Sequence, residues 1–139
     1  MIIGKIQDGI VLDHIKAGQG MKLYDILGLD KLECQVALIK NAESVKYGKK
    51  DIIKIDSIIE MKLDAIGFVD PNITVNIIRD GKLSKRTHID LPETIGGFVK
   101  CKNPRCITTI EQEIPHRFKL TDPATKTYRC VYCESKLEQ

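Results

Sequence analysis

The sequence predicts an α+β fold, with a five-stranded antiparallel sheet, two helices on one face of that sheet, and a small all-β domain after it. Three observations support this prediction. Short β-branched runs and two stretches with helical spacing share residues 1–97, an Asp-Gly turn joins the last two runs, and four of the five cysteines fall in residues 98–139. The hydrophobic fraction of 42% and the charged fraction of 29% are typical of a folded globular protein.

The first elements are predicted to be a strand, a helix and two paired strands. Residues 10–15 form a β-branched run bounded by turn residues, which indicates a strand. Residues 21–27 have apolar side chains at three- and four-residue spacing and predict an amphipathic helix that ends near Gly28. The apolar runs 34–39 and 51–56, separated by a polar stretch, predict an antiparallel pair of strands.

The next elements are predicted to be a second helix and a hairpin. A helix over residues 61–68 should end before Pro71, because the residue preceding proline disfavours helical geometry. Strands over 74–78 and 82–89 flank an Asp-Gly dipeptide, which is a strong hairpin signal. The order strand, helix, two strands, helix, two strands predicts a ferredoxin-like domain, whose uncovered face is left for solvent, a ligand or a partner.

Two cysteine pairs follow the predicted domain boundary, which we place after residue 97. Cys101 and Cys106 form a C-x4-C loop, and Cys130 and Cys133 form a C-x2-C loop. These spacings are typical of a tetrahedral site in which four thiolates hold one structural Zn²⁺. The C-terminal domain is too short for an adequate apolar core, so we expect the metal to be required for its folding.

Some cysteine and histidine residues have alternative interpretations. The four paired cysteines could instead be reduced and without a ligand. His116 could replace one of them as a ligand, but its position after Pro115 favours an ordinary surface residue. Cys34 lies inside an apolar run, which favours a small core residue over a nucleophile.

Several functional classes are disfavoured by the sequence. The motifs G-x-S-x-G, H-E-x-x-H, G-x-x-x-x-G-K and G-x-G-x-x-G are all absent, so no enzyme is expected. The net charge of +3 lies on residues 100–139, and four thiolates on Zn²⁺ would remove most of it, which argues against nucleic-acid binding. Without a long apolar run or a secretion signal, a cytoplasmic protein with no membrane contact is expected.

Polar residues on the predicted strands form a candidate anion site. Converging cations can hold a phosphate chain, and an aspartate can accept a hydrogen bond from a ribose hydroxyl or a base amine. Neighbouring strand residues point to opposite faces, so Asp13 and His14 share a ligand only if the strand ends or bends there. The alternative is that these are ordinary charges of half-exposed or edge strands. The set comprises Asp13, His14, Lys54, Asn76, Lys85 and Arg86.

The order of several short motifs gives the chain a resemblance to a known family. The motifs are V-L-D-H-I at 11–15, K-D-I-I-K-I at 50–55, T-V-N at 74–76, L-P-E at 91–93, and finally C-x4-C with C-x2-C. From about residue 6 to the end, the chain resembles the regulatory chain of aspartate carbamoyltransferase. The resemblance implies a non-catalytic subunit of pyrimidine biosynthesis, with an allosteric domain (1–97) that binds CTP or ATP. It also implies a zinc domain (98–139) that docks on separate catalytic chains, and a homodimer of regulatory chains.

The resemblance also assigns residues to these sites. It implies apolar walls from Ile6 and Val11, contacts to base and sugar from Asp13, His14 and Lys54, pocket lining from Asn76 and Ile78, and a phosphate contact from Lys85 or Arg86. Gly81 stands where the family can have a Tyr, which leaves the preference between CTP and ATP open. The residues implied to face the catalytic chain are Asn103, Arg105, Tyr132 and Glu134.

Two other functions fit part of the sequence. A zinc-ribbon protein that binds nucleic acid would fit the cysteine spacing, although aromatic residues are only 5% of the chain. A nucleotide-sensing module for a different enzyme would differ only in its partner.

Overall fold

The chain folds into two compact units that divide between Asp90 and Leu91. The computed structural model describes residues 7–45 and 48–137. The division falls earlier than the predicted boundary after residue 97, because Thr94–Gly96 forms a strand that pairs inside the second unit. The segment after Asp90 therefore belongs to the C-terminal unit.

The first unit is built on a five-stranded sheet, as predicted. Its strands lie in the order β2-β3-β1-β4-β5, and every neighbouring pair is antiparallel. The polar stretch predicted to separate the second and third strands contributes residues to both of them, so these strands are longer than expected. The strands are β1 (Gly9–Lys16), β2 (Val36–Ser44), β3 (Gly48–Ile55), β4 (Thr74–Arg79) and β5 (Lys82–His88).

Two helices connect strands that are not neighbours. Helix α1 (Gly20–Ile26) joins β1 to β2, and α2 (Leu63–Val69) joins β3 to β4. Each helix therefore links two parallel strands with one antiparallel strand between them, and the two strand–helix–strand segments interlock as in a ferredoxin-like domain. A short 3-10 turn, Leu29–Lys31, follows α1. Within the described residues, none of the helices is long and apolar enough to span a bilayer.

The core of the first unit lies between the helices and one face of the sheet. Ile10 pairs with Ile55 and with Ile77 across the sheet, and this row faces the buried helix side chains. Alternation along each strand sends the intervening residues to the opposite face. Cys34 is half-buried and packs against this core, as a small apolar side chain would.

A buried carboxylate ties three segments of this unit together. Asp51 on β3 is 0% exposed. Its Oδ2 accepts the N–H of Gly18 at 3.1 Å and of Gly20 at 3.0 Å, and its Oδ1 accepts the N–H of Asn41 at 3.1 Å. Gly20 has to be glycine, because a Cβ there would lie 2.8 Å from Asp51 Oδ2 and 2.7 Å from Leu38 Cδ1. The carboxylate therefore joins the β1–α1 loop, β2 and β3.

The second unit is a small β domain with one short helix. Its sheet has the order β6-β7-β8, formed by Thr94–Gly96, Arg117–Asp122 and Thr127–Cys130. Helix α3 (Ile107–Ile110) is a single turn that an all-β prediction did not include. Phe118 and Tyr128 fill the interior, and the Tyr128 hydroxyl donates to the carbonyl of Pro92. Few other large side chains are buried here, as expected for a domain that depends on metal.

Replacing Asp51 by Asn should destabilise the first unit. An amide keeps one acceptor oxygen but directs an NH₂ donor at backbone N–H groups, so at least one buried donor loses its partner. We expect the free energy of unfolding to fall by about 2–4 kcal/mol, measured by urea denaturation of the full chain. The control is Asp56→Asn, since Asp56 is exposed just beyond β3. Equal unfolding midpoints for both variants would contradict the role given to Asp51.

Candidate functional site

Four of the predicted nucleotide-binding residues lie in one row across the sheet. Val11 on β1 pairs with Lys54 on β3 and with Asn76 on β4, and Asn76 pairs with Arg86 on β5. Directly opposed residues of antiparallel strands point to the same face. We call this set, Lys54, Val11, Asn76 and Arg86, the cross-strand row. It lies on the sheet face opposite the helices.

Hydrogen bonds orient the polar members of the cross-strand row. Asn76 is only 7% exposed, its Nδ2 donates to the carbonyl of Val11 at 3.3 Å, and its Oδ1 accepts from Arg86 Nε at 2.9 Å. This leaves the outer nitrogens of the Arg86 guanidinium to project from an exposed edge strand. Asn76 thus positions Arg86 as a cation at one end of the row.

A β-bulge brings Asp13 and His14 to the same face. The pairing of β1 with β3 shifts register between Leu12 and Ile15, and His14 has φ 60°. Asp13 pairs with Thr74, while His14 Nδ1 lies 3.0 Å from Thr74 Oγ1. The strand therefore bends at the point where the sequence required a bend for these two residues to share a ligand.

Asp13 is held ionised by its neighbours. Its Oδ1 lies 2.9 Å from Lys50 Nζ and accepts the N–H of His14. Burial raises the pKa of the Asp13 carboxyl, but the hydrogen bond and charge of Lys50, with the His14 N–H, outweigh burial and hold the pKa below its ordinary value of 3.8. Asp13 is thus a fixed acceptor beside the row.

The remaining predicted nucleotide residues divide between the two faces. Ile78 pairs with Gly9, on the same face as the row. Lys85 pairs with Ile77, a residue that packs against the core, so its strand position belongs to the opposite face from that of Arg86. Ile6 lies outside the described residues. Gly81 has φ 75° and donates its N–H to the carbonyl of Gln7 at 2.9 Å.

Lys50 and Thr74 also belong to this face, and neither was among the residues predicted for the site. Lys50, Ile52 and Lys54 alternate along β3, so Lys50 shares the face of the row. The alternation of residues along a strand could have predicted the face of Lys50, because Lys50 lies four residues before Lys54. The contact of Thr74 with His14 depends on the bulge, which no local pattern indicates.

The four paired cysteines converge on one point. Their sulfurs all lie within 4.8 Å of one another, with Cys101 Sγ 3.6 Å from Cys133 Sγ and Cys106 Sγ 3.7 Å from Cys130 Sγ. A tetrahedron of sulfurs at about 2.3 Å from a metal has edges of about 3.8 Å. The distances are far too long for disulfides, and they fit a structural metal bound by four thiolates.

The four thiols have unequal environments. Burial raises the pKa of Cys101 to about 12 and also raises the pKa of Cys130. The Thr108 hydroxyl lowers the pKa of Cys106, and the Ser135 hydroxyl lowers the pKa of Cys133 to about 6. One cysteine of each pair is therefore favoured as a thiolate, and the positive charge of a bound metal ion would be needed to deprotonate the other two.

Residues around the metal centre hold its two loops in place. His116 is not an ordinary surface residue, because its Nδ1 accepts the N–H of Cys101 at 2.9 Å and it is half-buried. Asn103 accepts the N–H of Arg105 at Oδ1 and donates from Nδ2 to Ser135 Oγ at 3.3 Å. The contact between Asn103 and Ser135 connects the first cysteine loop to the second without involving the metal.

The four predicted interface residues surround this centre. Asn103 is half-buried, whereas Arg105 and Glu134 are exposed. Tyr132, on the second cysteine loop, is 48% exposed although it is a large aromatic side chain. Neighbouring Val131 is also exposed, and such apolar surface on a metal loop suits contact with another protein.

Replacing Lys50 by Met should raise the pKa of Asp13. A depressed carboxyl pKa stabilises the native state above the unfolded value, and this contribution is lost as pH falls through the native pKa. The loss of stability in the variant should therefore be largest above about pH 4 and shrink at lower pH. Carboxyl NMR titration measures the pKa of Asp13. The control is Lys49→Met, which removes an exposed lysine next to Lys50. An unchanged Asp13 titration in Lys50→Met would contradict this assignment.

Comparison with known proteins covers nearly the whole chain. The family model described as aspartate carbamoyltransferase regulatory chain, allosteric domain, matches residues 1–90, and the one described as the metal binding domain of that chain matches residues 93–139. Several bacteria have proteins that are similar to this chain and are named aspartate carbamoyltransferase regulatory chain. The protein of Clostridium botulinum (strain Hall) is 49% identical over 134 residues, which are 96% of this chain and 92% of the relative.

Two further relatives agree with this result. The protein of Clostridium tetani is 47% identical over 135 residues, covering 96% of this chain and 94% of the relative. That of Bifidobacterium longum is 42% identical over 136 residues, covering 98% of each. Both units of the fold are thus accounted for by one family, and this chain belongs to the regulatory chains of aspartate carbamoyltransferase, rather than to the catalytic ones.

Proposed function

We propose that this regulatory chain binds CTP or ATP along the cross-strand row and passes the effect of binding to separate catalytic chains through a zinc domain. The observation that carries the proposal is the row itself. Lys54, Val11, Asn76 and Arg86 come from four adjacent strands, so the row spans three strand spacings, about 14 Å. An extended nucleoside triphosphate needs a site of this kind, with cations for its phosphates and separate acceptors for its sugar or base.

The chemistry along the row supports an assignment of the end that contacts phosphate. Arg86 is a planar cation whose guanidinium can bind phosphate through two nitrogens, and Asn76 already fixes its orientation. Val11 offers apolar surface near the centre of the row. Asp13 and His14, which the bulge brings to the same face, would contact a ribose or a base. We therefore assign the phosphate contact to Arg86 in preference to Lys85.

We propose that the metal is Zn²⁺. Four sulfur ligands in a tetrahedral arrangement select zinc or iron, and a closed site with no position for water is typical of structural zinc. Cys101, Cys106 and Cys130 are buried, and the fold around them has few other large buried side chains. Free thiols that bind metal also favour a reducing compartment, and on this basis we propose a cytoplasmic location.

Docking on the catalytic chain is proposed for the surface formed by the metal loops. A regulatory chain associates with catalytic chains, and the exposed residues Arg105, Tyr132 and Glu134 lie on or beside these loops, with Asn103 at their junction. We also propose that regulatory chains form a homodimer, as the family resemblance implies. Effector binding in one unit and docking in the other are two distinct sites, which is the condition for allosteric coupling.

Replacing Arg86 by Gln should weaken binding of CTP and ATP. The loss of one charge-assisted contact should raise Kd by about 10–100-fold, measured by isothermal titration calorimetry on the full chain. Lys85→Gln is the matched control, because it removes the same charge from the neighbouring position on the other face. We expect less than about a threefold effect from the control. Equal losses for the two variants would refute the assignment of Arg86.

Removing the zinc should release the catalytic chains. A mercurial that captures the four thiols, followed by a chelator, should unfold the metal loops and split the complete assembly into smaller species on gel filtration. The control receives the same reagents, then excess thiol and Zn²⁺, and should reassemble. An assembly that stays intact after metal analysis shows complete zinc loss would disprove docking through the metal domain.

A further inference from the structure

Thr108 contacts the metal centre without being a ligand. It lies in the single-turn helix α3, two residues after Cys106. Its side chain is only 2% exposed, and its Oγ1 lies 3.0 Å from Cys106 Sγ. A hydroxyl buried this deeply is rarely placed beside an apolar group, so its partner is the sulfur.

The direction of this hydrogen bond follows from the chemistry of the site. A cysteine that binds metal is a thiolate and has no proton to donate. The Thr108 hydroxyl must therefore donate to Cys106 Sγ. The hydrogen bond fixes the direction in which the sulfur presents its remaining lone pairs, and it partly offsets the negative charge on the sulfur.

Thr108 differs in one respect from the similar hydroxyl in the other loop. Ser135 interacts with Cys133 and also accepts a hydrogen bond from Asn103, but both Ser135 and Cys133 are only half-buried. Water can replace a lost hydroxyl there. Around Thr108 and Cys106, both buried, no such replacement is available, so loss of this hydroxyl leaves the sulfur with the backbone N–H of Thr108 but without its hydroxyl donor.

The backbone of the first loop explains why the hydroxyl stays in position. The carbonyl of Cys106 accepts the N–H groups of Thr109 and Ile110, so the helix begins on the ligand residue itself. Thr109 Oγ1 donates to the carbonyl of Asn103 at 2.8 Å, which closes the loop over the same turn. The ligand and its donor are thus held on one rigid turn.

We propose that Thr108 is a positioning residue of the metal centre, whose hydroxyl orients the Cys106 sulfur and slows the departure of the metal. This inference rests on the proposed zinc site. Partners of this kind around a metal ligand typically change metal affinity by 10–100-fold when they are removed. Thr108 therefore also determines how long the folded domain keeps its metal.

The test compares metal release from the full-length wild-type chain and from Thr108→Val. Valine has nearly the same shape as threonine and replaces the hydroxyl by a methyl group, which cannot donate a hydrogen bond. Release of Zn²⁺ to a chromophoric chelator should be about 10–100-fold faster in the variant. Substitution with Co²⁺ should also shift the sulfur-to-metal charge-transfer band, because one thiolate has lost its hydroxyl donor. The control is Thr121→Val, an exposed threonine on β7, which should release metal at the wild-type rate.

A second pair of variants keeps the test decisive if Thr108→Val fails to fold. Thr108→Ser retains the hydroxyl and Thr108→Ala does not, and both lack the methyl group. We expect the serine variant to release Zn²⁺ about tenfold more slowly than the alanine variant. Equal release rates within this pair, or a wild-type rate and spectrum for Thr108→Val, would overturn the positioning role. A wild-type chain that takes up no Zn²⁺ would instead overturn the proposed zinc site, and this inference with it.

Discussion

The arrangement of the first unit depends on one buried charge, the carboxylate of Asp51. It accepts three backbone N–H groups from two other segments, and this holds β3 in a single register against β1 and β2. Because successive strand residues point to opposite faces, burying Asp51 in the core forces Lys50 and Ile52 onto the other face. If β3 slipped by one residue, position 51 would move to the exposed face of the sheet. Lys50 and Lys54 would then move into the core. The polar face is therefore specified from inside the core.

Much of this fold could be predicted from the sequence, because its main signals are local. Helical spacing over α1 and the Asp-Gly turn before β5 identify their elements without knowledge of their partners. The bulge at Asp13 and His14 could not be predicted, since it arises where β1 has to satisfy β3 and β4 at once. The placement of Lys85 and Arg86 on opposite faces depends on strand register, which a sequence pattern leaves undetermined by one residue. The early division at Asp90 was missed because the short strand Thr94–Gly96 has no pattern of its own.

At the metal centre, too, only part of the site could be predicted from the sequence. Its four ligands could be read from spacing, because short loops between paired cysteines have few other uses. The groups that surround the ligands could not. His116 comes from a position well separated from Cys101 along the chain, and the role of Thr108 depends on a helical turn of four residues. Both are ordinary residue types in ordinary sequence contexts, and only their buried contacts with the ligand residues distinguish them.

The cross-strand row ends on β5, and this has a mechanical consequence. β5 is an edge strand, most of its residues are exposed, and among the residues that the structure describes it has strand partners on one side only. A molecule lying along the row would link this weakly supported strand to β1 and β3 at the middle of the sheet. The gain in rigidity would then be greatest at β5, the weakly supported strand. The same strand leads through Ile89 and Asp90 directly into the second unit, so the segment that gains most rigidity is also the covalent connection between the two domains.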